Sequence, residues 1–157
     1  MPMTINVREA LPGDLPEVLE LVKELARYER AEGEVEVTLE QMLAWGSGVA
    51  PAFGCFVLEL DERVIGAAIY YYKYSTWKGR CLFLEDIVVK ETYRNQGYGR
   101  RLFDAVAQLA KREGVKRLEW QVLEWNAPAI SFYRKLGSSF DGEWINCRLT
   151  YDQLQSF

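Results

Sequence analysis

The chain has 157 residues, 49% of them hydrophobic, a formal net charge of −4 and no histidine. That length suits one domain with a real core, and the composition excludes a disordered tail. Lack of histidine excludes His-based triads and the usual zinc sites, and mild acidity without a basic stripe argues against nucleic-acid binding.

No apolar run approaches the roughly 20 residues of a membrane helix, and the N-terminus lacks a signal-peptide pattern, so no membrane association is expected. Cys55, Cys81 and Cys147 are scattered, without a Cys-x-x-Cys spacing, which points to reduced thiols in a cytoplasm and to no metal.

Thr4 to Ala10 alternates polar and apolar residues and predicts a strand. Asp14 with Glu17 resembles a capping box, after which Leu15, Val18, Leu19, Val22, Leu25 and Ala26 trace one helical face to about Tyr28. An acidic segment follows (Glu29, Glu32, Glu34, Glu36), which fits either a solvated connection or a field that draws in a cation. Thr38 to Trp45 predicts a short second helix. Phe53–Leu60 and Arg63–Tyr74 predict two strands joined by a turn at Asp61-Glu62.

Past the loop Ser75–Gly79, the run Cys81–Val89 predicts a buried central strand, and the apolar period then changes to 3.6 from Arg100 to Gly114. Val115–Leu123 predicts another strand. Asn126 can cap a helix with Pro128 in its first turn, carrying Ile130, Phe132, Tyr133 and Leu136 and stopping at Gly137. Ser138–Phe140 and Glu143–Thr150 predict a last hairpin. Lys111-Arg112 with Lys116-Arg117 is the densest basic spot and reads as a solvated helix end and turn. The predicted order β-α-α-β-β-β-α-β-α-β-β is one α+β domain, a mostly antiparallel sheet of about seven strands with helices on both faces.

Between the central strand and the following helix lies Arg94-Asn95-Gln96-Gly97-Tyr98-Gly99-Arg100-Arg101. The first N–H groups of a helix lack internal partners and attract anions, and two glycines let a phosphate approach the backbone. Arginines add fork-shaped charge. A Gly-x-x-x-x-Gly-Lys-Ser/Thr loop is missing, and Leu102 stands where a dinucleotide fingerprint needs a small residue. An ordinary strand–turn–helix corner fits the same residues.

Arg94-x-x-Gly97-x-Gly99 resembles the acyl-CoA pyrophosphate loop of the GNAT superfamily of N-acyltransferases. Asn126-x-x-Ala129-x-x-Phe132-Tyr133 resembles its second signature. The element order is likewise similar to the GNAT fold. The resemblance implies acetyl-CoA as cosubstrate, with Asn126 on its pantetheine arm and Tyr133 as general acid; by spacing alone, Tyr133 also fits a core aromatic.

Of the adjacent carboxylates Glu85 and Asp86 in the central strand, alternation lets only one face a given cleft. Glu85 is the candidate acceptor of the amine proton, a structural ion pair being the alternative.

Tyr28-Glu29, Tyr70-Tyr71-Tyr72, Trp77-Lys78-Gly79-Arg80, Leu84-Glu85-Asp86 and Glu124-Trp125-Asn126 resemble the diamine acetyltransferase family, spermidine/spermine N-acetyltransferases and their thialysine-acetylating relatives. This resemblance implies that Tyr28, Glu29, Glu85 and Trp77 contact a small-molecule amine. It implies that Ile87, Val88 and Val89, then Arg94, Asn95, Gln96, Gly97, Tyr98, Gly99 and Arg100, and finally Asn126, Ala127, Pro128 and Ala129 hold acetyl-CoA. Family members are dimers, so a homodimer is expected.

Ser75 stands where polyamine-preferring members have an acid, which favours a lysine-like amine bearing a carboxylate. Acetylation of a protein or antibiotic amine, or a non-catalytic acyl-CoA sensor, are the alternatives.

Overall fold

A computed structural model describes residues 2–157, which divide into two compact units, one up to Gln121 and one from Val122 to Phe157. The larger unit is built on a five-stranded sheet in the order β1 (Ile5–Glu9), β2 (Gly54–Leu60), β3 (Arg63–Ser75), β4 (Gly79–Val89), β5 (Leu118–Glu119). The first four strands pair antiparallel with their sequence neighbours, and β5 joins β4 in parallel. The β2–β3 hairpin turns on Asp61 and Glu62, both at positive φ (49° and 65°), as a two-residue turn of that hand requires.

Two helices, α1 (Leu15–Tyr28) and α2 (Leu39–Trp45), cover one face of the sheet. Val18 and Leu21 of α1 are fully buried and pack with Met42 of α2 against Val57, Ala67, Ile69 and Val88. Each such aliphatic side chain contributes about 1.5–3 kcal/mol on leaving water. Helix α3 (Tyr98–Glu113) lies on the opposite face, where a Cβ on Gly66 would stand 3.0 Å from Leu102.

The capping box expected at Asp14 and Glu17 does not form. The Asp14 carboxylate instead accepts from both Arg8 terminal nitrogens (2.7 and 3.0 Å) and from the Leu11 N–H (2.7 Å). Arg8 also reaches Glu59, tying β1, β2 and the entry to α1 together.

The smaller unit holds α4 (Ala127–Lys135) and α5 (Tyr151–Leu154). The sheet therefore has five strands rather than seven, and two expectations are corrected. The strand expected over Val115–Leu123 is limited to Leu118 and Glu119, because pairing with β4 ends at Phe83, two residues before an irregularity that bends β4.

The hairpin expected from Ser138–Phe140 and Glu143–Thr150 does not form, and Trp144, Ile145 and Leu149 are exposed. Alternation defines which side of a strand would be buried, but two short strands without a supporting sheet are marginal. Among the described residues, no helix is long and apolar enough to cross a membrane.

Candidate active site

The glycine loop occupies the turn between β4 and α3. Asn95 and Gly97 both have positive φ (62° and 81°), and Gly97 stands at the N-cap with no side-chain cap. The helix begins at Tyr98, two residues earlier than predicted, with no acidic residue in its first turn. Cβ atoms built on Gly97 or Gly99 would meet nothing within 4 Å, so the side of the backbone that a side chain would cover is open there. This is the geometry that takes a phosphate.

Arg100 is drawn sideways to Asp104 (2.8 Å). Arg94 is committed to the scaffold: its Nε donates to the Val89 carbonyl (3.1 Å), its terminal nitrogen lies 3.7 Å from Glu24, and its guanidinium stacks 5.0 Å from the Tyr28 ring centre. Gln96 is exposed. Ile87, Val88 and Val89 pair with Ala68, Ala67 and Gly66 of β3, while β5 pairs only with Leu82 and Phe83. From Leu84 onward, β4 is thus paired in the sheet on one side only. An added extended chain can use the other.

The acidic site is built by a bulge. Tyr70 of β3 pairs with Leu84 and the next residue back, Ile69, pairs with Asp86, so Glu85 is an extra residue in β4. A bulge breaks alternation, so the two adjacent carboxylates need not face opposite sides of the sheet. Ile69 belongs to the α1 core, its partner Asp86 shares its face, and Glu85 acts on the phenol of Tyr71 on that same face. The strict alternation behind the expectation of one carboxylate per cleft does not hold at this bulge. A bulge leaves no mark in a local pattern.

Asp86 is the more enclosed of the two. Burial, reinforced by the charges of Glu85 and Glu29, pushes its carboxyl up to about 6. Burial also raises Glu29, at the end of α1, whereas Glu32, Glu34 and Glu36 are exposed. Glu85 and Glu29 thus lie near enough to Asp86 for their charges to act on it, and Glu85 acts likewise on Tyr71, whose ring centre lies 5.1 Å from that of Phe83. Tyr28 is partly exposed at the end of α1, and Trp77 is 78% exposed in the β3–β4 turn. Among the described residues, no group of three or more His, Cys, Asp or Glu is arranged to hold a metal.

In the smaller unit, Asn126 caps α4 by accepting from the Ala129 N–H (3.3 Å), with Ala127 and Pro128 in the first turn. Asn126 is 8% exposed and Tyr133 only 6%. The Tyr133 ring packs edge-on to Phe132 (5.4 Å), and its carbonyl accepts from the Ser138 hydroxyl (2.6 Å).

Residues 15–138 match the model of the acetyltransferase (GNAT) family. The chain is 39% identical over 142 residues to thialysine N-epsilon-acetyltransferase of Bos taurus, covering 85% of this chain and 84% of that protein. It is 34% identical over 122 residues to the Caenorhabditis elegans enzyme of the same name, covering 78% and 75%. An aminoglycoside acetyltransferase from an uncultured soil metagenomic sample superposes with a TM-score of 0.77 over 93% of this chain and 95% of its own, at 18% identity, a likeness of fold. The family model spans most of the chain and crosses both motif regions, and the relatives match along most of their length. The protein is an acyltransferase that belongs to the acetyltransferase (GNAT) family.

Proposed function

We propose that this enzyme moves an acetyl group from acetyl-CoA to the primary amine of a small molecule, lysine-like or a diamine, by direct transfer in a ternary complex. The observation that carries the reading is the mutual electrostatic influence of Glu29, Glu85 and Asp86, with Glu85 acting also on Tyr71 of the Tyr71–Phe83 pair. Carboxylates and aromatic faces are what an ammonium needs. The curated relatives' names, which specify a thialysine amine, support the same acceptor class.

Glu85, beside Asp86 and exposed to solvent, takes the ammonium proton through water, so that nitrogen attacks with a free electron pair. Backbone N–H groups near Ile87 polarise the thioester carbonyl. As the C–N bond forms and the C–S bond breaks, the Tyr133 hydroxyl gives its proton to the departing thiolate, and the proton shed by the acylated nitrogen passes through water to restore the phenol.

Ile87 to Val89, Asn95 to Arg100 and Asn126 to Ala129 hold acetyl-CoA, with Arg94 bracing the loop against α1 and β4. The open glycine positions and uncapped α3 fit its phosphates. Tyr28, Glu29 and Trp77 border the amine. Both units form one catalytic domain, a reading supported by a family match that crosses the boundary at Gln121. A homodimer in the cytoplasm is proposed from the family resemblance and from three cysteines in no disulfide.

The test is release of coenzyme A thiol from acetyl-CoA with thialysine, lysine, spermidine, putrescine and a lysine peptide. Turnover of the small amines, lost in Glu85→Gln, is expected. Release with the peptide alone would move the acceptor to proteins, and tight acetyl-CoA binding without release would make the protein a sensor.

A further inference from the structure

The face of the sheet that carries Asp86 and Tyr71 continues past them and changes sign. Residues 69, 71, 73 and 75 of β3 share that face, because strand side chains alternate. Opposite them on β4 stand Asp86, Phe83, Cys81 and Gly79, and Glu119 of β5 is level with Phe83. Beyond the Tyr71–Phe83 floor, Lys73 lies 5.7 Å from the Phe83 ring centre and 3.4 Å from Glu119. Arg117 Nε lies 3.6 Å from Glu119, and Arg117 Nη2 donates to the Ser75 hydroxyl (3.1 Å). Arg117, which the sequence places in a solvated turn, is thus held against the sheet.

This basic end is under-neutralised. Two cations share one carboxylate. Arg117 Nε and Glu119 Oε2 are both buried without a hydrogen-bond partner, and Ser75 takes only one of the five guanidinium N–H groups. The fork therefore retains donors for an anion. Ser75 itself is occupied in the turn, accepting from the Trp77 and Lys78 N–H groups (3.3 and 3.1 Å) as well as from Arg117. The selectivity first attributed to Ser75 is better placed on the cations around it.

Asp86 and Lys73 stand four residues apart along the ladder, roughly 13 Å of strand. Side chains from both ends shorten that gap to the scale of an extended amino acid with a terminal amine. The arrangement is acid, aromatic floor, base. A diamine brings only a second ammonium toward like charge, whereas a lysine-like amine brings the same ammonium together with a carboxylate that the cations can hold.

We propose that Lys73 and Arg117 form a subsite for the carboxylate of the acceptor, so that the enzyme selects an amine carrying a distal carboxylate over a diamine or polyamine. The proposal rests on the acceptor-amine reading above and adds the group that recognises the other end of the molecule.

The experiment compares kcat and KM for thialysine and for its decarboxylated diamine in the wild type, Lys73→Gln, Arg117→Gln, the double variant and Arg117→Lys. The wild type should favour thialysine by at least about tenfold, the scale of one or two charge-assisted bonds. The Gln variants should raise KM for thialysine several-fold at nearly constant kcat, leave the diamine unchanged or improved, and lose the preference when combined. Arg117→Lys should restore part of it. Both side chains are over one-third exposed, so the fold should tolerate their replacement, which thermal unfolding will check. Turnover of both amines without preference, or an equal loss for both in the variants, refutes the subsite alone. Turnover of neither refutes the acceptor-amine reading and the subsite with it.

Discussion

Replacing Asp86 by Asn tests whether the central strand holds a carboxylate at the expense of stability. Its carboxyl moves from 3.8 to about 6, chiefly through burial and then through repulsion from Glu85 and Glu29. Among the described residues it makes no hydrogen bond or ion pair that Asn would break. Between about pH 4 and pH 6 the folded chain keeps this proton while the unfolded chain releases it, so stability falls as the pH rises through that window. At about 1.4 kcal/mol per pH unit, the ionised group destabilises the fold by up to about 3 kcal/mol above pH 6.

Asn has nearly the same shape and no charge. Asp86→Asn should therefore be about 1–3 kcal/mol more stable than the parent at pH 7.5 and indistinguishable near pH 4. For a chain of this size that is a rise of roughly 2–10 °C in Tm. Urea unfolding of both proteins at pH 4, 5.5 and 7.5 reads the difference directly. A variant less stable than the parent at pH 7.5, or one whose difference does not change with pH, would refute the reasoning.

Tyr133→Phe should keep the fold, because the ring of this buried residue still packs on Phe132, while kcat for coenzyme A release falls by about 10²–10⁴. Gly97→Ala places a Cβ at φ 81°, with nothing to clash against; a strain of about 1–3 kcal/mol should appear as lower stability together with a raised KM for acetyl-CoA in steady-state assays. Thiol labelling of the native protein, read by mass spectrometry, should modify Cys147 alone. Cys55 and Cys81 are buried, and burial pushes the Cys55 thiol up to about 12.

The local geometry around the proposed site was legible because it depends on short-range chemistry. Gly97 and Gly99 fall at a strand-to-helix turn, and Asn126 and Pro128 at the start of a helix, because helix starts are marked by residue type over a few positions. Alternation and 3.6-residue periodicity likewise placed β1 to β4 and α1 to α4, with α3 beginning two residues early.

Other features depend on which strands meet. The last predicted hairpin had an alternating pattern but no strand to pair with, and β5 shrank to two residues beside the bend in β4. The bulge at Glu85 is a mismatch in count between two strands, a property of neither alone, and it frees two adjacent carboxylates from strict alternation. The pairing of Lys73 and Arg117 across Glu119 has the same origin, since their separation in sequence says nothing about their place on the sheet. Short-range periodicity and helix-end chemistry sufficed for β1 to β4, α1 to α4 and the place of the glycine loop. Strand register, which joins residues far apart in the chain, set the acid–aromatic–base order along that face of the sheet.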